Sequence, residues 1–107
     1  MAQILMAQYD VFKNPRGGVY PLLLDMQSDV LTRLERRVVV PLVARKKYGA
    51  KPISKLNPLV TIGGIEYVIV FQDLAAVPTS ALGERVDSLA NRRADLVAAV
   101  DLLFTGI

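Results

Sequence analysis

Two β-rich runs, Leu59-Val60-Thr61-Ile62 and residues 65–71, are joined by nothing more than Gly63-Gly64. A two-residue loop whose central positions both take positive φ closes a tight antiparallel hairpin, because its twist matches that of the flanking strands. This pair commits the middle of the chain to an antiparallel sheet. Upstream, Tyr9 and Val11, the turn-like Asn14-Pro15-Arg16-Gly17-Gly18 and residues 20–24 predict an opening hairpin of the same kind. Pro15 confines Asn14 to extended geometry, and the two glycines permit the reversal. Residues 37–42 are β-branched and predict a short buried strand, with Pro41 marking an edge or an end. Residues 43–58 are basic and broken by Gly49, Pro52 and Pro58, which predicts a mobile loop with one helical turn. Val77-Pro78 predicts a further short strand or turn.

After Gly83 the period changes from two to 3.6. Leu89, Leu96, Val100 and Leu103 fall on one helical stripe, with Val97 and Phe104 beside it. Ser88 or Asn91 is the expected N-cap, and Gly106 stands where a helix-ending glycine belongs. The expected fold class is α+β: five to seven strands in a small antiparallel sheet or partly closed barrel, capped by one C-terminal α-helix. Phe104-Thr105-Gly106-Ile107 leaves an apolar tip that the residues alone assign equally to core, dimer seam or binding surface.

Composition narrows the chemistry. A chain of 107 residues, 52% hydrophobic and 21% charged, suits one folded domain. Met1-Ala2-Gln3 is echoed by Met6-Ala7-Gln8, so residues 1–6 read as an extension or alternative start and residues 7–107 as the domain. Cysteine is absent, which suits a reducing, cytoplasmic setting. Uncharged runs reach only about ten residues against the roughly 20 that span a bilayer, and no secretory signal pattern is present, so no membrane partner is expected. Without histidine or cysteine the usual general base and the common metal ligands are missing. Asp25, Asp29 and Asp73 show no ligand spacing, and the glycine pairs read as turns and not phosphate loops. No catalytic residue, metal or cofactor is expected. The net charge is +3, with basic clusters at Arg33, Arg36, Arg37 and at Arg45, Lys46, Lys47, Lys51, Lys55. These are either solvated surface or a landing site for an acidic partner.

Six segments then fall in the order and spacing of one family. They are Asp25-Met26-Gln27-Ser28-Asp29; Arg36-Arg37 with Val40-Pro41-Leu42; Val60-Thr61-Ile62-Gly63; Asp73-Leu74-Ala75-Ala76-Val77-Pro78; Gly83-Glu84-Arg85-Val86; and Phe104-Thr105-Gly106-Ile107. The chain resembles the CcdB toxins over residues 7–107. The resemblance implies a homodimer of SH3-like barrels that binds the gyrase A subunit and poisons DNA gyrase on cleaved DNA, without chemistry of its own. It also implies neutralisation by a CcdA-like antitoxin with a disordered C-terminal segment, and no direct sequence-specific binding of nucleic acid.

By position, the gyrase-facing residues implied are Val30, Leu31, Asp101, Phe104, Thr105, Gly106 and Ile107. The best-known member of the family carries tryptophan at Thr105 and asparagine at Asp101, so a large aromatic anchor is absent here. Asp101 also opposes the helix dipole, by about 0.3–1 kcal/mol. Lys13, Arg16, Arg45, Lys46, Lys47 and Lys51 are the residues expected to meet an acidic antitoxin segment. Two alternatives stand beside this reading. One is a MazF- or Kid-like endoribonuclease on the same barrel, using Asp29, Glu35, Arg36 and Arg37. The other is an inactive toxin relic that only binds antitoxin.

Overall fold

The computed structural model describes residues 6–107; residues 1–5, and with them most of the expected extension, lie outside the described residues. Seven strands form one antiparallel sheet that curls into a half-open barrel. They are β1 (Asp10–Lys13), β2 (Leu22–Asp25), β3 (Arg36–Ala44), β4 (Leu59–Ile62), β5 (Ile65–Ile69), β6 (Ala75–Pro78) and β7 (Arg85–Ser88). Helix α1 (Arg93–Thr105) follows the last strand. The order across the sheet is β4-β5-β3-β2-β1-β7, with β6 also paired to β3. The α+β, SH3-like architecture expected from the sequence is the one adopted.

Both hairpins form where the glycine pairs predict. Gly63 and Gly64 take φ of 59° and 80°, and Ile62 pairs directly with Ile65. Gly17 and Gly18 take 60° and 74° in the β1–β2 loop, where the Asn14 side chain donates to the Tyr20 carbonyl at 2.8 Å.

Pro41 is a correction to the sequence reading. It lies in the middle of a nine-residue strand and pairs with Leu23 of β2. On its far edge β3 pairs with β5 through Leu42 to Ala44 and with β6 through Arg36 to Val39. The N–H and C=O of one strand residue point to the same side, and the Pro41 carbonyl accepts from Val70 N at 3.0 Å. The donor that proline lacks therefore faces the gap where the chain leaves β5, makes a 3-10 turn (Phe71–Asp73) and returns as β6.

Residues 43–58 are also better held than the sequence suggests. After β3 ends at Ala44, a 3-10 turn covers Arg45–Lys47. Beyond it, buried Asn57 accepts from Ile53 N and donates to the Ile69 carbonyl and to Gln72 Oε1 at 2.9, 3.1 and 2.7 Å. A buried amide with every polar group bonded pins the loop to β5.

The third correction concerns the helix start. Residues 85–88 are strand β7, so Leu89 precedes the helix, and neither Ser88 nor Asn91 caps it. A 3-10 turn (Ala90–Arg92) leads into α1, and Ser88 Oγ accepts from Ala90 N within that turn at 3.3 Å. Inside the helix the buried residues are Leu96 and Ala99, with Val97, Val100 and Leu103 half-buried and Phe104 exposed. Leu96 and Ala99, with Val100 packed beside them, close the barrel over Val11, Leu22, Leu24, Val40, Leu42, Ile69 and Phe71. Alternate residues of β3 and β5 turn the other way, so Val43, Val68 and Val70 make a second cluster under Tyr20 and Tyr48. No helix among the described residues is long and apolar enough to cross a membrane.

Gly83 enters this scaffold through a close approach. Its N–H donates to the Lys13 carbonyl at 2.8 Å, and a Cβ there would stand 2.8 Å from that same oxygen. Gly83→Ala is expected to cost about 1–3 kcal/mol in urea unfolding. Gly49→Ala, with open space around it, should stay within about 0.5 kcal/mol of the parent.

Candidate partner-binding surface

Between β2 and β3 the chain makes a short excursion that leaves its apolar side chains in water. A 3-10 turn (Asp29–Leu31) is capped by Ser28, whose Oγ accepts from Val30 N at 3.2 Å. None of its residues is buried, and Val30 is 89% and Leu31 46% exposed. A loop on a rigid scaffold is a common place for a binding residue.

Beneath the loop is a buried ion pair. Arg37 donates from Nε and Nη2 to Asp25 Oδ2 at 3.0 and 2.6 Å, with side chains 1% and 0% exposed. Arg37 Nη2 also reaches the Gln27 carbonyl at 3.3 Å, and Asp25 Oδ1 accepts from Gln27 N at 3.0 Å. Burial pushes the Asp25 carboxyl above its ordinary range, while the bonds from Arg37 and Gln27 pull it back down. Sequence reasoning passed over this group, although a signal was present. Asp25 ends an apolar run, Arg37 begins another, and Val39, cross-strand neighbour of Asp25, lies two residues from Arg37 on the same face.

The second exposed element is the end of α1. Gly106 takes φ of 76° and its N–H donates to the Leu102 carbonyl at 3.0 Å, which is the glycine C-cap that the sequence predicts. Thr105 Oγ1 donates to the Asp101 carbonyl at 2.6 Å. Phe104 is 67% exposed and Ile107 90%, so within this chain the apolar tip is not core.

An apolar groove of about 500 Å³ runs between the two elements. Leu31 and Phe104 both line it, with Met26, Val38, Leu74 and Val100 among the walls. The structure thus brings Leu31 and Phe104 to one groove. Val30, Asp101, Thr105, Gly106 and Ile107 are exposed and lie outside its lining. Met26, Val38, Leu74 and Val100 were not among the residues expected there.

The basic residues are more dispersed. Lys13 pairs with Glu84 at 3.0 Å and Arg45 with Glu66 at 3.6 Å, all exposed, so each pair is worth only about 0–1 kcal/mol. Such pairs are open to exchange with a charged partner. Lys46, Lys47 and Lys51 are exposed. Arg16 lines a second groove of about 530 Å³ on the other face of the sheet, with Tyr20, Leu23, Val39 and Asp73; the other five basic residues do not line it. The Tyr20 hydroxyl donates to Asp73, and that bond, with burial and the Asp73 charge, raises the Tyr20 pKa.

Of the residues a ribonuclease would use, Arg36 and Glu35 are exposed. Asp29 Oδ1 is taken by Gln8 N at 2.7 Å, and the Arg37 guanidinium is buried on Asp25, where it cannot reach an RNA phosphate.

The six sequence segments converge on this structure. Asp25-Met26-Gln27-Ser28-Asp29 forms the network and the loop start, Arg36-Arg37 opens β3, and Phe104-Thr105-Gly106-Ile107 forms the helix tip. A model of the family described as CcdB protein matches residues 8–106. The chain therefore belongs to the CcdB family and is the toxin component of a toxin–antitoxin pair.

Proposed function

We propose that this toxin acts by binding the gyrase A subunit and poisoning DNA gyrase, and that a CcdA-like antitoxin removes it. The observation that carries this reading is the exposed apolar set Val30, Leu31, Phe104 and Ile107 on the loop and helix tip. Exposed apolar side chains on rigid elements suit protein–protein contact, where a few buried anchors supply most of the affinity. Val30, Leu31, Asp101, Phe104, Thr105, Gly106 and Ile107 form the proposed gyrase-facing surface. The working unit is residues 7–107, and two copies pair so that their helix tips lie side by side about a two-fold axis. Pairing doubles the apolar tip.

Lys13, Arg16, Arg45, Lys46, Lys47 and Lys51 are the proposed antitoxin contacts. A disordered acidic segment would reach both basic stretches by folding as it binds. The encounter with gyrase places the protein in the cytoplasm.

The test is induction of the chain in a gyrase-dependent host, with purified gyrase A in a pull-down. Growth arrest with DNA-damage signalling, cleaved DNA trapped on gyrase, and relief by the antitoxin are expected. Arrest without gyrase A binding, together with specific RNA cleavage by the purified protein, would favour the endoribonuclease instead. Normal growth with antitoxin binding intact would identify an inactive relic.

A further inference from the structure

We infer that Gln27 is a positioning residue that holds the Val30–Leu31 loop in the shape its partner reads, an inference that rests on the gyrase reading above. From residue 26 to residue 36, Gln27 is the one buried side chain. All its polar groups are bonded. Its backbone N–H donates to Asp25 Oδ1 at 3.0 Å, and its carbonyl accepts from Arg37 Nη2 at 3.3 Å. Its side-chain Oε1 accepts from Val38 N at 3.1 Å, and its Nε2 donates to the Leu31 carbonyl at 3.1 Å. One amide thus ties the end of β2, the start of β3 and the crest of the loop together.

The loop has little else to hold it. A three-residue 3-10 turn has poor hydrogen-bond geometry and little stability of its own. Packing contributes almost nothing, because no residue of the turn is buried. Besides bonds within the turn, the loop is tethered by Gln8, whose N donates to Asp29 Oδ1 and whose Nε2 donates to the Met26 carbonyl. Near its two ends, backbone bonds run from Met26 N to the Val38 carbonyl and from Thr79 N to the Glu35 carbonyl. The Gln27 amide is the side chain that reaches Leu31. A loop with few buried contacts opens at low free energy unless specific bonds restrain it. The buried Asp25–Arg37 pair in turn clamps the Gln27 backbone, so the ion pair acts on the loop through Gln27. An ordered loop loses less conformational entropy when a partner captures Val30 and Leu31.

Two substitutions separate the bonds. Gln27→Met keeps the volume and removes both side-chain bonds. Gln27→Glu keeps an acceptor for Val38 N and loses the donor to the Leu31 carbonyl. Two measurements are made on each: amide hydrogen exchange, and affinity for purified gyrase A.

In both variants exchange at Val30, Leu31 and Thr32 should accelerate at least tenfold, with Leu42 and Val68 in the core strands unchanged. Gyrase A affinity should fall about tenfold. Loop exchange that stays at the parental rate overturns the inference, as does acceleration spread equally into the core strands. A loosened loop with parental gyrase affinity overturns it too. If the parent itself fails to bind gyrase A, the proposed function falls, and loop exchange alone decides whether Gln27 holds the loop.

Discussion

Removing Gly106 and Ile107 is expected to weaken gyrase A binding by about 30-fold or more and to abolish growth arrest, a loss of roughly 2 kcal/mol typical of a central anchor. The same deletion should leave the fold in place. Ile107 is 90% exposed, and a substitution on exposed surface usually changes stability by less than about 0.5 kcal/mol. Gly106 contributes one C-cap bond to the Leu102 carbonyl, whose loss frays only the last turn. Ile107→Ser provides the cleaner variant, because it keeps the cap and removes the apolar side chain. Its unfolding temperature should stay within about 3 °C of the parent while its gyrase affinity falls with that of the deletion. A tail variant that arrests growth as strongly as the parent would remove the helix tip from the gyrase surface.

The largest stability effect belongs to Arg37. Arg37→Met leaves Asp25 buried without its charge partner, which typically costs about 3–5 kcal/mol. That is a large part of the roughly 5–15 kcal/mol that holds a domain together. Replacing both partners, Asp25→Leu with Arg37→Met, should recover much of the loss, because desolvation then has no charge to act on.

The pH dependence carries a definite sign. Burial raises the folded-state Asp25 pKa above its usual value of 3.8. The folded state therefore binds this proton more tightly than the unfolded state does. The stability from this group is fully present below pH 3.8 and is lost as pH rises through the folded-state value. Without Arg37 the shift has less to oppose it, so the Arg37→Met deficit should shrink as the solution is acidified from neutral. Urea midpoints measured across that range check both signs. A parent that loses stability through this group on acidification would show that Arg37, and not desolvation, dominates the Asp25 environment.

Local rules reach far into this chain because turns are local. Gly63-Gly64 and Gly17-Gly18 announce their hairpins through the positive φ that only their backbones accept cheaply, and Gly106 announces the helix end by the same means. Two strands were misread or missed for opposite reasons. Pro41 looks like an edge residue because its missing donor would break a ladder, and only the split pairing of β5 and β6 along one edge of β3 supplies a gap for it to face. Residues 85–88 lack a strong alternating pattern, and they become a strand because β1 offers them an edge.

Within the proposed binding surface the balance differs. Val30, Leu31, Phe104 and Ile107 can be singled out from the order of the sequence segments. Exposure cannot, because an apolar residue at the end of a helical stripe has the same spacing whether it faces the core or water. Helix α1 turns Leu96 and Ala99 inward, and that rotation puts Phe104 on a groove with Leu31, more than seventy residues earlier in the chain. The Asp25–Arg37–Gln27 network is likewise set by cross-strand register.

What the order of residues alone determines is the antiparallel sheet, the single closing helix and the family, since each rests on turns, periodicity and motif spacing. The tertiary structure decides which apolar residues are left over for a partner and which charges are withdrawn from solvent. Burial is a property of how the sheet curls and how the helix is rotated upon it, and no run of neighbouring residues encodes either by itself.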